Sequence, residues 1–362
     1  MKWSWKIGEF AGIGVYIHAT FLLIIAWVIF VYWLPTGSLA QALAGVVFTL
    51  SIFGCVLLHE FGHALTAKRY GIRTRDITLY PIGGVARLER MPDEPIQELW
   101  VALAGPAVNV GIAAVVYVWL NFTGTYQPIS AFEILEGSFA QRLMMVNVIL
   151  VLFNMLPAFP MDGGRVLRAI LATRMEYVRA TQIAAHIGQG MAFLFGFWGL
   201  VANPMMLFVA FFVWIGAAQE ANMVQLKNSL GNIPVSRAMI TNFETVSSTD
   251  TLAYLVDLIL KGSQHDFPVV DNGQVSGVVT RSDLINALAA QGERQTVSDI
   301  MRRDFQVIES PDMLELAMRK LQSCDCHTLP VLHNGQLVGL VTMDNIGEFL
   351  MIQSAISKAH SK

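Results

Sequence analysis

The sequence predicts a polytopic α-helical membrane domain with six spans and a short membrane-associated β-hairpin, followed by a soluble α/β tandem pair. Three observations carry this. Of 362 residues, 54% are hydrophobic and only 14% charged, whereas soluble domains carry about 25% charged residues. Six apolar segments, at 15–34, 40–67, 99–120, 139–159, 183–201 and 204–221, each come near the ~20 residues that a helix needs to cross a bilayer. Beyond residue 232 the composition turns polar, and a unit recurs at a fixed offset of 62 residues. The expected division is a membrane domain over 1–223, a linker over 224–232, and repeats over 233–291 and 295–356.

The first apolar run lacks a small-residue cleavage site, so it reads as a span rather than a leader. Lys and Arg orient the bundle. Lys6, Lys68, Arg69, Arg73, Arg165, Arg174 and Lys227 fall on one side, as does Arg168, while the alternate loops at 35–39, 121–138 and 202–203 hold none. Both termini and the repeat pair are therefore expected in the cytoplasm. The net charge of −3 argues neither way on nucleic acid, and no nucleic-acid partner is expected. The three cysteines, Cys55, Cys324 and Cys326, are too few and too scattered for a disulfide framework. The last two read as ordinary thiols.

The second span contains His59-Glu60-Phe61-Gly62-His63. Residues four apart lie on one helix face, so His59 and His63 can grip one metal ion. Glu60 stands where a general base for a metal-activated water belongs. Charge inside an apolar span is costly and is read as functional. The alternative is two histidines and a glutamate facing a watery cavity. His18, which opens the first span, reads as a packed or interfacial residue or as a contact to the site. His186 and Glu220, at the edges of the last two spans, read as interfacial.

Between spans two and three, two β-prone runs flank Pro81-Ile82-Gly83-Gly84, a hairpin signal. An edge strand there would hold an extended peptide by strand addition, or the hairpin would merely connect spans. Asn109 in the third span needs a polar partner, and reads as packing glue. The fourth span ends in Pro157-Ala158-Phe159-Pro160-Met161-Asp162-Gly163-Gly164. Two prolines break the helix before Asp162, and freed backbone must line protein or water. A catalytic zinc takes three protein ligands and keeps one position open. His59, His63 and Asp162 supply three, and the competing role for Asp162 is an N-cap.

In the tail, Val235-Ser236 recurs as Val297-Ser298, Pro268-Val269 as Pro330-Val331, and Asn272-Gly273-Gln274 as Asn334-Gly335-Gln336. Each unit reads strand, amphipathic helix, strand, Asn-Gly hairpin, strand, helix.

With these motifs in hand, the chain resembles the site-2 protease family of intramembrane zinc metalloproteases, in the form that carries a cytoplasmic pair of CBS domains. The matching residues are His59 to His63, Pro81 to Ala86, Gly105-Pro106-Ala107-Val108-Asn109, and Asn154 to Gly164. The resemblance implies one Zn²⁺ per chain on His59, His63 and Asp162, with Glu60 activating water. It implies that Asn154 binds the substrate backbone or steadies the oxyanion. It also implies that Gly83, Gly84, Val85 and Ala86 pair with an unwound stretch of a single-span membrane protein. For the tail, it implies an adenine nucleotide (ATP, ADP or AMP) read by Ser/Thr-x-x-Asp. Here that is Thr280 with Asp283, and Thr342 with Asn345, where Asn replaces the usual Asp and loses its charge. A homodimer through the CBS domains is a further expectation. The rival reading is a CBS-gated transporter or channel that uses the His and Asp side chains as an ion path. No inverted repeat relates the membrane halves, as transporters often show.

Overall fold

A computed structural model describes residues 3–92, 94–126, 137–231, 233–262, 264–291, 295–324 and 327–360. Asp325 and Cys326 lie outside them; Cys324 is disulfide-bonded, which departs from the free thiol expected. The chain divides into two compact units, 1–224 and 225–362.

The first unit opens with strands β1 (Ser4–Phe10) and β2 (Ile13–His18). Helices α1 (Phe21–Thr36) and α2 (Leu39–Arg69) follow. Then come β3 (Thr74–Tyr80) and β4 (Gly83–Leu88), and helices α3 (Pro95–Phe122), α4 (Phe139–Asn154), α5 (Asp162–Ala172), α6 (Tyr177–Val201) and α7 (Met205–Leu230). Among the described residues, four helices are long and apolar enough to cross a membrane: Leu39–Arg69, Pro95–Phe122, Tyr177–Val201 and Met205–Leu226. Helices α1 and α4 are shorter apolar helices. At 1.5 Å per residue, their 16 residues reach about 24 Å, short of a hydrocarbon core of about 30 Å. The physical reason is visible in the chain. The start of the first apolar run is drawn into β2, and α1 ends at Gly37 in the left-handed region, φ 60°. The last part of the fourth run leaves the helix at the Pro157–Pro160 turn. An apolar run measures burial in lipid or protein, not helix length.

These helices are apolar outward and small or polar inward. Trp27, Phe197, Phe208 and Phe211 are exposed, while Ala64, Ala67, Ala184 and Asn109 are buried. That is a surface suited to lipid rather than water.

β3 and β4 pair antiparallel, with Ile77 opposite Ala86 and Leu79 opposite Gly84. They belong to a four-stranded sheet in the order β1-β2-β3-β4, because β1 pairs antiparallel with β2, and β2 joins β3 in parallel from Gly14 to Ile17. Ile13 and Ile77 pack on Ala64, Leu57 and Phe61 of α2. This contact lays the sheet beside the His-Glu-x-x-His turn, with β4 at its free edge.

The second unit holds α8 (Leu252–Lys261), β5 (Phe267–Asp271), β6 (Gln274–Val279), α9 (Arg281–Gln291), α10 (Val297–Ile300), β7 (Ile308–Glu309), α11 (Leu314–Ser323), β8 (Thr328–His333), β9 (Gln336–Thr342) and α12 (Met343–His360). The 62-residue repeat reappears in space. Val246 bridges Val269 in parallel, as Ile308 pairs with Val331. The two cores exchange their opening segments. Val235 and Leu230 pack with Ile308, Leu314 and Val341 of the second repeat. Val297 and Met301 pack with Leu252, Phe267 and Val279 of the first. The backbone repeats the exchange: Val235 N donates to Asp312 O, and Val297 N to Asp250 O, at 2.8 Å each. Helix α7 continues past residue 224 to Leu230, which is fully buried.

Candidate metal centre and CBS ligand positions

His59 and His63 sit one turn apart on α2, and Asp162 is the first residue of α5. All three are buried. Met161, not Asp162, is the N-cap, so the carboxylate is free to point at the histidines. His59 Nε2 lies 3.0 Å from His63 Nε2, and each lies 3.1 Å from Asp162 Oδ2. Zinc bonds of about 2.0–2.1 Å at tetrahedral angles set ligand atoms about 3.3 Å apart. The triangle therefore matches one face of a zinc tetrahedron, a little contracted.

The histidine tautomers follow from their other contacts. His63 Nδ1 lies 2.6 Å from Val101 O, a pure acceptor, so the ring donates from Nδ1. His59 Nδ1 lies 2.5 Å from Asn109 Oδ1. Asn109 Nδ2 donates to Asn147 Oδ1 at 2.7 Å, which leaves its oxygen for the ring. Asn147 in turn donates to Leu143 O at 2.8 Å. Both rings thus carry their proton on Nδ1 and present a lone pair at Nε2. This is the support that metal-bound histidines use to fix orientation and basicity. Asn109, which reads from the sequence as packing glue, is therefore a support of the site, and Asn147 joins it. A polar residue at the right depth of an apolar helix is the signal that could find both.

Two close approaches hold these elements. A Cβ on Gly105 would lie 2.2 Å from His63 Nε2 and 2.6 Å from His59 Nε2. Only bare backbone of α3 fits over these two ring nitrogens. A Cβ on Gly163 would lie 2.3 Å from Leu156 O. The turn at 155–161 closes onto the start of α5 and so fixes where Asp162 begins.

Glu60 Oε2 accepts a hydrogen bond from Ala86 N of β4 at 3.2 Å. Since that N–H points away from β3, the N–H groups two residues either side point to the same free edge. Gly83, Gly84, Val85 and Ala86 thus form an edge strand whose outer hydrogen-bonding side meets the carboxylate of Glu60. Asn154 is the last, half-buried residue of α4. His18 is not part of the cluster: it bonds Thr20 Oγ1 at 2.8 Å and stacks on Tyr80.

In the second unit, Thr280 and Asp283 form a reciprocal cap at the start of α9. Asp283 N donates to Thr280 Oγ1, and Thr280 N to Asp283 Oδ2, at 3.2 Å each. Arg302 grips both oxygens of Asp283, at 2.8 and 2.9 Å. Burial alone would raise the Asp283 pKa, but the Arg302 fork and the Thr280 bonds hold it below the usual carboxylate range. Thr342 and Asn345 repeat the cap, with Asn345 N donating to Thr342 Oγ1 at 3.2 Å.

A helical membrane-type unit with a His-His-Asp cluster beside a glutamate defines a metalloprotease of the HExxH class. Comparison with known proteins makes the assignment specific. Residues 47–195 match Peptidase family M50, and residues 235–290 and 297–351 match the CBS domain. The chain is 32% identical over 347 residues to a zinc metalloprotease of Methanocaldococcus jannaschii, covering 96% of each. It is 22% identical over 273 residues to the stage IV sporulation protein FB of Bacillus subtilis, covering 73% of this chain and 89% of that one. A solved site-2 protease from Methanocaldococcus jannaschii aligns at 36% identity and a TM-score of 0.45, covering 60% of this chain and 95% of the other. The chain belongs to Peptidase family M50, as a zinc metalloprotease with a C-terminal CBS pair. The transporter reading is not favoured.

Proposed function

We propose that this chain is an intramembrane zinc endopeptidase that cleaves an unwound transmembrane segment of a single-span membrane protein. Its six apolar helices would all span, α1 and α4 as the short members, with both termini and the CBS pair in the cytoplasm. The observation that carries the reading is the buried triangle of His59, His63 and Asp162 with both Nδ1 protons locked on oxygen. These three residues would hold one zinc ion. Zinc supplies a Lewis acid there that acidifies water and polarises a peptide carbonyl. Glu60 takes the proton from water and later hands it to the leaving nitrogen.

A helical substrate hides its carbonyls in i to i−4 hydrogen bonds and must unwind before attack. The free edge at Gly83–Ala86 would replace those bonds by strand addition. A strand paired there competes for the Ala86 N–H that Glu60 holds, so substrate docking would free the base. Asn154 would bind the opened backbone or the developing oxyanion. For the CBS pair, we infer an adenine nucleotide on Thr280 and Asp283, with Thr342 and Asn345 as a second position lacking the carboxylate. A ribose would have to share Asp283 with Arg302 or displace it.

Metal content of the purified protein tests the core of the reading. About one zinc per chain is expected, and His59→Ala and Asp162→Ala should bind it weakly enough to purify with only a fraction of it. Glu60→Gln should keep its zinc and lose cleavage of a membrane substrate by at least about 10²-fold. Zinc content indifferent to Asp162, or cleavage retained in Glu60→Gln, would remove the assignment.

A further inference from the structure

Arg168 is the largest fully buried side chain among the described residues. Its Nε and one terminal nitrogen both donate to Glu98 Oε1 of α3, at 2.9 and 2.5 Å. The other terminal nitrogen donates to Glu220 Oε1 of α7 at 2.5 Å. The guanidinium lies 5.0 Å from the ring centroids of Phe159 and of Tyr177. One planar group thus touches α3, α7, the first residue of α6, and the turn that leads into Asp162. A rigid fork of donors can serve two carboxylates in fixed directions, and a lysine cannot.

The placement ties this group to the metal centre. Arg168 lies six residues after Asp162 on α5, a helix of only 11 residues. Glu98 lies three residues before Val101, whose carbonyl holds His63. Helix α3 also carries Asn109 against His59 and Gly105 against both ligand nitrogens. The supports of the two histidines are therefore concentrated on α3, and the carboxylate ligand rides on α5. Among the described residues, the Arg168–Glu98 bonds are the only side-chain hydrogen bonds that join these two helices.

We infer that Arg168 is a positioning residue for the metal centre: keyed between Glu98 and Glu220, it sets the seat of α5 and so the distance of Asp162 Oδ2 from the two histidines. This rests on the reading of His59, His63 and Asp162 as zinc ligands. Arg168 touches neither metal nor substrate. It acts through Asp162, as outer residues of metal sites act through their ligands.

The test is a double-mutant cycle on zinc affinity, measured on the full chain by chelator competition, with Arg168→Lys and Asp162→Ala alone and combined. Arg168→Lys keeps the charge and removes the fork. It should keep its far-UV circular dichroism and weaken zinc about 10- to 100-fold. In the Asp162→Ala background it should cost little more, because the ligand it positions is gone. The visible spectrum of the cobalt-loaded Arg168→Lys protein should also change, since the ligand geometry has. Unchanged zinc affinity in Arg168→Lys, or an equal loss in both backgrounds, would overturn the inference and leave a purely structural ion cluster. If Arg168→Lys does not fold, Glu220→Gln, whose carboxylate is 30% exposed, takes its place in the cycle: a loss confined to the Asp162 background supports the inference, and no loss or an equal loss overturns it. Zinc affinity indifferent to Asp162→Ala brings down the ligand assignment as well. A zinc site that needs Asp162 but ignores Arg168 brings down this inference alone.

Discussion

Asn109 carries one hydrogen bond on which the orientation of His59 depends. Its own direction is set by Asn147, so two fully buried asparagines act as a relay that ends at His59 Nδ1, across the ring from the nitrogen that faces Asp162. Asn109→Leu fills the same space without an acceptor. The His59 ring then loses its fixed tautomer, and zinc affinity should fall about 10- to 100-fold. Asn109→Asp retains an acceptor and should lose less. Equal zinc affinity for wild type and Asn109→Leu in a chelator titration would show that the relay is packing alone. At this scale the two histidines of the candidate centre are legible, because His-Glu-x-x-His fixes residue type and spacing together. The supports are not. Val101 contributes only its carbonyl, which every residue has, and the partner of Asn109 is 38 residues away in the chain.

Helices α2 and α3 approach so closely at the metal centre that Gly105 has no room for a side chain. Gly105→Ala would drive a methyl group into both ligand nitrogens. Overpacking of this kind costs about 1–3 kcal/mol, which reads as a roughly 5- to 150-fold loss of zinc affinity. The same substitution at Gly111, whose added Cβ would meet nothing within 4 Å, should leave zinc binding unchanged and serves as the control. A Gly105→Ala protein that binds zinc like wild type would mean that the helices can part without cost. The sheet is legible in part at this scale. The Pro-Ile-Gly-Gly turn marks β3 and β4, but β2 joins β3 in parallel across two intervening helices, a pairing that no local pattern encodes. Glu220 reads as an interfacial residue, yet it closes on Arg168. A charge near a span end gives no sign of whether water or a buried arginine receives it.

For the whole molecule, α7 carries Glu220 in the first unit and continues to Leu230, which lies in the core of the second CBS repeat. If the CBS pair takes an adenine nucleotide as proposed, calorimetric titration of the full chain should show saturable binding of AMP or ATP. Asp283→Ala should weaken it about 10- to 150-fold, the loss of a charge-assisted hydrogen bond of about 1.5–3 kcal/mol. No binding at millimolar nucleotide, or binding indifferent to Asp283, would leave Thr280 and Asp283 as a helix cap held by Arg302. The sequence by itself determined the chemistry and the two-part plan. Residue type and short spacing specify a zinc motif, apolar length specifies a membrane unit, and a constant offset of 62 residues specifies a tandem repeat. Only the tertiary structure decided which apolar runs become long helices, which residues hold the ligands in register, and that each CBS core is closed by the opening segment of the other. Those outcomes depend on contacts between residues distant in the chain, where close packing and the pairing of buried polar groups act without leaving a local pattern.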